Sequence, residues 1–195
     1  IQTVSLDEAY LNLSTGFRED IDEPPALILA RIAAQIEDVI GITASIGLAN
    51  NKFLAKLASD LEKPRGYSVI GEIEAVSFLS GLPVKKINGV GAVTARKMAS
   101  QGIETIGQLQ VFSEDELVAF YGKFGRRLFK FAQGKDDRKV YSGKPAKSIS
   151  AERTFPTDLR DPEALKAELM SLCERVCARL QNKSVAGAKV SLKLK

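Results

Sequence analysis

The stretch Thr43-Ala44-Ser45-Ile46-Gly47-Leu48-Ala49-Asn50-Asn51-Lys52-Phe53-Leu54-Ala55-Lys56 decides how the first part of the chain folds. Thr43–Leu48 reads as a strand, and Asn50-Asn51 as a turn or helix cap, because an Asn side chain can accept from first-turn amides. Lys52–Leu61 then reads as a helix stopped by Pro64 and Gly66, and Tyr67–Ile70 as another short strand. Upstream, a Pro24-Pro25 break leads into a helix over Ala26–Ile40, ended by Gly41. Leu29, Ile32, Ala33, Ile36 and Ile40 fall on one stripe of it. At the N-terminal end, Ile1–Leu6 and Ala9–Leu13 are expected to be two short strands meeting at an acidic bend, Asp7-Glu8. Strands alternate with helices up to about residue 72, which makes this part mixed α/β.

From residue 73 to 137 the sequence is helical, cut by Gly-containing turns at Asn88–Gly91, Gly102, Gly107 and Gly122–Gly125. Residues 138–146 are polar and read as a linker. Residues 147–195 open on a strand, Lys147–Phe155, continue as a helix from Pro162 to Leu180 with Asp161 as its cap, and end on an alternating strand, Ala188–Lys195. The fold class expected is α+β with several subdomains: 1–72 mixed α/β, 73–137 all-helical, 147–195 α/β.

The 195 residues are 45% apolar and 27% charged, an ordinary globular balance. No apolar run reaches the roughly 18 residues of a membrane span and no signal-peptide pattern opens the chain. With only Cys173 and Cys177, a disulfide framework is excluded and a cytoplasmic protein is expected. The absence of histidine removes Ser-His and Cys-His nucleophile systems and His-ligated zinc. Metal chemistry would rest on carboxylates and a hard ion such as Mg²⁺ or Mn²⁺. The net charge of +4 is split: residues 1–81 carry six Lys and Arg against twelve Asp and Glu, and residues 82–195 carry 22 against twelve. An acidic part with its own task, joined to a basic part that meets a polyanion, fits that split, as does a merely solvated basic surface.

Four constellations could carry chemistry. Adjacent carboxylates in a regular strand point to opposite faces, so Asp7 and Glu8 can share a site only at a bend; an exposed acidic turn is the alternative. Lys52, Lys56 and Lys63 return to nearly one helix face, where an anion such as a triphosphate would relieve their repulsion; Asp60 on the same side could offset part of it. In Leu82–Lys97, Gly89 and Gly91 flank Val90 ahead of a helix. This pattern offers backbone amides to a phosphate, anchors Val90 in the core and adds Arg96 and Lys97, as in sequence-independent helix-hairpin-helix DNA binders; a simple tight turn between packed helices is the alternative. A degenerate second hairpin lies at Gly122–Arg127, with Phe124 as its anchor. Finally, Lys147, Ser148, Ser150 and Arg153 lie along a strand that could track a phosphate backbone. Cys173 and Cys177 have no partner ligands and read as small side chains rather than a metal site.

Taken in order, Ser5–Tyr10, Thr43–Lys56 and Lys63-Pro64-Arg65-Gly66 closely resemble the palm of Y-family translesion DNA polymerases. Leu82–Lys97 resembles their thumb. Phe124-Gly125, Gln133-Gly134-Lys135-Asp136 and Lys147–Phe155 resemble the thumb end and little-finger start of the bacterial DNA polymerase IV type. The resemblance implies a partial palm, a helix-hairpin-helix thumb and a partial little finger, acting on primer-template DNA and dNTP with two Mg²⁺ ions. It implies that Asp7 and Glu8 bind the metals, with Asp7 bridging both ions, and that Lys63 neutralises the triphosphate, supported by Lys56 and Lys52. It implies further that Gly89, Val90, Gly91, Arg96, Lys97, Lys147, Ser148, Ser150 and Arg153 meet DNA. Asn88 stands where the family often has Pro, and Ser150 where Gly is usual. A further metal-binding Asp, the fingers, the remaining little-finger strands and a clamp-binding peptide have no counterpart in the sequence. The chain is therefore expected to be a central piece of a polymerase that binds DNA but does not extend a primer alone, its parent being recruited by a sliding clamp. Unpaired strand edges would also permit a dimer. Two other readings stay open, a non-catalytic hairpin DNA-binding protein and a carboxylate-metal nuclease.

Overall fold

In a computed structural model, residues 1–14, 23–143 and 147–194 are described. They divide into two compact units, Ile1–Ser142 and Gly143–Lys195. The first unit opens on β1 (Gln2–Thr3) and β2 (Ala9–Tyr10), an antiparallel pair with Gln2 opposite Tyr10. The chain turns between them at Val4–Glu8, where the Val4 amide donates to the Glu8 carbonyl at 2.8 Å. The acidic pair thus sits in a bend, as the sequence reading requires. Helix α1 (Pro25–Ile40) buries Leu29 and half-buries Ile32, Ala33 and Ile36. It ends at Gly41, whose φ of 77° is left-handed; Ile40 is exposed.

β3 (Ile46–Ala49), α2 (Lys52–Ser59) and β4 (Tyr67–Ile70) form a strand–helix–strand unit with the two strands parallel. Asn51 caps α2 by accepting from the Leu54 amide at 3.1 Å. Short helices follow: α3 (Ala75–Ser80), a 3₁₀ turn (Val84–Lys86), α4 (Ala92–Ala99), α5 (Ile106–Gln110), α6 (Glu114–Tyr121) and α7 (Lys123–Ala132). Gly107 and Gly125, expected in turns, lie inside α5 and α7. Gly125 is buried against the Leu117 carbonyl of α6, an approach that only a residue without Cβ permits, so the turn is confined to Gly122. One apolar cluster runs through both halves of the unit, from Phe53, Leu54 and Leu57 to Ile103, Leu128 and Phe131.

The two halves are clasped at the first turn of α2. The Phe53 and Phe131 rings stack at 4.3 Å, and the Asn51 side-chain amide donates to the Gly134 carbonyl at 2.8 Å. The Asp136 side chain, only 2% exposed, accepts from the Arg138 backbone amide at 3.1 Å and takes a two-pronged bond from the Arg138 guanidinium, at 2.8 Å from Nε and 2.7 Å from Nη2. Burial alone would raise the Asp136 carboxyl; Arg138 and the backbone amides outweigh it and hold it below the ordinary carboxylate range.

In the second unit, α8 (Pro162–Asn182) is capped by Asp161, which accepts from the Glu163 and Ala164 amides. Lys147–Phe155 and residues 188–194, expected as strands, are not strands. A strand exists only where a neighbour completes its ladder, and these two segments do not pair with each other. The period-two pattern nonetheless survives in the first of them: Ile149, Ala151 and Phe155 are half-buried, while Ser148, Ser150, Glu152 and Thr154 are exposed. Side chains fix this segment to α8, with Arg153 2.9 Å from Glu168 and Arg179 donating to the Ser150 carbonyl. Residue 195, in the second expected strand, and residues 144–146 of the expected linker lie outside the described residues.

A carboxyl whose folded value is depressed adds stability above its unfolded value, about pH 4, and loses it as pH falls through the folded value. Asp136→Asn should therefore cost about 2 kcal/mol at about pH 7, discounted for the partly solvated Arg138, and much less at about pH 3. Urea unfolding at the two pH values measures this, and an equal penalty at both would contradict it.

Candidate metal and nucleic-acid site

The Val4–Glu8 bend places both carboxylates beside α2. The Ser5 hydroxyl donates to Asp7 at 2.6 Å and is the main cause that lowers the Asp7 carboxyl below its usual range, helped by Lys63 and Lys56. Glu8 lies 3.2 Å from the Lys56 ammonium. Lys56 is shared with Asp60 at 2.6 Å, and Asp60 in turn takes Lys63 at 2.6 Å on its other oxygen. Carboxylates and ammoniums thus alternate in the order Glu8, Lys56, Asp60, Lys63. Burial opposes charge on Lys56, but Asp60 and Glu8 prevail and raise it, so it is an ammonium at neutral pH. Burial likewise works against the Asp60 carboxylate, and its two lysines lower it overall.

The three lysines expected on one helix face are separated by the fold. Lys56 and Lys63 join this chain of charges. Lys52 is 9% exposed and turned to the hairpin, donating to Gln2 Oε1 at 2.7 Å with its ammonium 4.8 Å from the Tyr10 ring centre. Asp60, expected only to dilute positive charge, is the hub between the two site lysines.

Across a cleft of about 290 Å³ lined by Lys56, Asp60, Lys85, Lys86, Asn88 and Gly89 lies the glycine hairpin. Val90 and Ile87 are buried, with the Val90 amide bonded to the Ile87 carbonyl at 2.9 Å. Gly89 adopts φ 102°, and the place of its missing Cβ is 3.2 Å from the Phe124 ring, so any other residue is both strained and crowded there. Gly91 caps α4, whose first backbone bond runs from Ala95 to Gly91; the first-turn residues Gly91, Ala92 and Val93 are exposed, as is Arg96, and the amides before Ala95 have no partner within the helix. Lys97 is tied to α6, donating to the Phe120 carbonyl at 2.8 Å and lying 5.0 Å over the Tyr121 ring. Phe124 does not anchor a second glycine loop: it lies in the first turn of α7 and braces the first hairpin. Of the second-unit residues, Lys147, Ser148 and Ser150 are exposed, and Arg153 is held by Glu168.

Residues 1–60 match the impB/mucB/samB family, residues 85–136 the thumb domain described as DNA polymerase-iota, and residues 146–195 the impB/mucB/samB family C-terminal domain. All 195 residues align with DNA polymerase IV of Brucella melitensis at 50% identity. The chain belongs to the Y family of DNA polymerases. Over its full length this Y-family chain is also 46% identical to DNA polymerase IV of Caulobacter vibrioides. It spans 44% and 48% of those two proteins, about half the length of the relatives it matches. The crystal structure of DinB from Sulfolobus solfataricus is similar over 59% of the chain and 34% of its own, with a TM-score of 0.54 and 34% identity. Among the described residues no helix is long and apolar enough to cross a membrane.

The sequence reading of this Y-family chain quoted Asp136 only within the Gln133–Asp136 resemblance and gave no role to it or to Arg138, which pair with each other beside the Phe131 ring. The polar run after the last thumb helix does not distinguish a buried carboxylate from a solvated one. Lys52→Met should leave α4–α7 intact but speed amide exchange in β1 and β2 about tenfold, measured by hydrogen–deuterium exchange. Unchanged exchange there would show that Lys52 does not hold the hairpin.

Proposed function

We propose that the chain carries part of the active site of a DNA-directed DNA polymerase that copies past damaged template bases, joining a dNTP to a primer 3′-hydroxyl. The observation that carries this reading is that one unit holds both an Asp7-Glu8 bend, with Glu8 paired to Lys56, and a glycine hairpin that lines the same cleft as Lys56. Asp7 and Glu8 offer hard oxygens, and Mg²⁺ is commonly held by one or two carboxylates together with substrate phosphates and water. The donor set therefore fits in kind. Among the described residues no group of three Asp, Glu, Cys or His side chains forms a metal cage of its own. When bound, two such ions would supply an acidified 3′-hydroxyl and a stabilised pyrophosphate leaving group.

The protein's own groups do the rest. Lys63, exposed on one side of Asp60, meets the triphosphate, where negative charge grows during transfer. Lys56 sets the charge beside Glu8, and Lys52 fixes the hairpin that carries both carboxylates. The amides from Gly89 to the start of α4, with Arg96, hold a DNA strand by its phosphates without reading bases, and Val90 anchors that loop. Lys97 supports the hairpin through α6, while Lys147, Ser148 and Ser150 line a second stretch of backbone, with Arg153 at its edge. Primer-template DNA and dNTP are the partners this assigns, and a sliding clamp is the partner proposed for the longer relatives' plan.

The reading is tested by replacing the matching segment of the Brucella melitensis enzyme with residues 1–195. The chimera should extend a primer with Mg²⁺, and Asp7→Asn with Glu8→Gln should reduce extension by about 10³-fold or more while leaving metal-free DNA binding in place. Extension that survives the double substitution would refute the assignment. Gly89→Ala should weaken binding of the chain to a labelled duplex by about tenfold and flatten its salt dependence, read by fluorescence anisotropy. Unaltered affinity would place DNA elsewhere.

A further inference from the structure

The Lys56 ammonium bonds to Glu8, a carboxylate assigned above to metal binding, and at the same time to Asp60, which that assignment does not use. A dication at Glu8 and an ammonium 3.2 Å from the same carboxylate repel each other. Lys56 can withdraw without losing its charge partner, because Asp60 already takes it at 2.6 Å. Lys63 holds the other Asp60 oxygen, so the acceptor stays fixed whichever carboxylate Lys56 favours. Burial keeps Lys56 from escaping into solvent: its side chain is 22% exposed and lies at the wall of the cleft.

We propose that Lys56 is a placeholder cation: it neutralises Glu8 while no divalent ion is bound and, when one binds, shifts its contact to Asp60, which serves as its parking acceptor. This rests on the assignment of Asp7 and Glu8 as metal-binding residues. The mechanism is a charge exchange without a covalent step. Lys56 is thereby a positioning residue that sets how tightly the site takes an ion, and Asp60 acts only through Lys56.

Mn²⁺ alone, titrated into the 195-residue chain and followed by its electron paramagnetic resonance signal, tests this through a double-mutant cycle. Asp7→Asn with Glu8→Gln should remove the site-specific binding. Lys56→Met should tighten it by about tenfold, because a competing positive charge is gone. Asp60→Asn should weaken it about two- to threefold when Lys56 is present, since the ammonium is then committed to Glu8, and should change it little in the Lys56→Met background. Circular dichroism confirms that each variant is folded, and Lys56→Gln serves as a second neutral variant. Equal losses from Asp60→Asn in both backgrounds would mean that Asp60 acts on the ion directly, and an unchanged or weakened Lys56→Met site would mean that Lys56 does not compete; either overturns the placeholder. If the Asp7 and Glu8 substitutions leave Mn²⁺ binding untouched, the metal assignment itself fails and the placeholder with it.

Discussion

The first turn of α2 is the joint on which the structure depends. A buried carboxylate is costly unless its oxygens are filled, and those of Asp136 are filled by the Arg138 guanidinium and backbone amide, beside the Phe131 ring. The same turn receives Asn51 as its cap, the Gly134 carbonyl as the acceptor of that Asn, and the Phe131 ring against Phe53. These contacts join a helix near residue 52 to a segment near residue 136, so the strand–helix–strand part and the helical part pack on one apolar cluster. The stacked ring pair adds about 1 kcal/mol beyond area burial. Because α2 also carries Lys52 and Lys56, the clasp holds in place the helix whose lysines bond Gln2 and Glu8 of the acidic hairpin.

The polar side of α2 works by compensation rather than by strength. Most of its ion pairs are partly solvated, so each is a modest stabiliser. Their value lies in order: Glu8, Lys56, Asp60 and Lys63 alternate in sign, so the lysines expected to repel one another are interleaved with carboxylates. Lys52 is removed from that series altogether by its bond to Gln2 and its contact with Tyr10. A face that reads as three cations is thus divided into a structural Lys52, a Lys56 that lines the cleft and an exposed Lys63 paired with Asp60.

Local signals carried the sequence reading far where they were self-contained. The Asn51 cap, the Gly41 stop, the Asp161 cap, the acidic bend and the Gly89–Gly91 hairpin were all legible, because each depends on residues within one turn of one another. Long-range facts were not. Nothing local marks Asp136 as buried, or Gly125 as the point where α6 and α7 touch rather than a turn. The two strands read into the second unit failed for a related reason: alternation shows which side chains face inward, but a ladder needs a partner that the pattern does not contain. At the site, the residue types were legible and their pairing was not; Asp60 as a hub and Lys97 as a brace to α6 emerged only from geometry.

The central claim is that the Asp7-Glu8 bend and the glycine hairpin form one metal-and-DNA site. Anomalous diffraction from crystals of the chain grown with a primer-template duplex and Mn²⁺ tests it most directly. A manganese peak is expected within about 2.3 Å of carboxylate oxygens of both Asp7 and Glu8, with a DNA phosphate on the amides between Gly89 and α4. A peak bound only by other residues, or a duplex seated away from the hairpin, would contradict it.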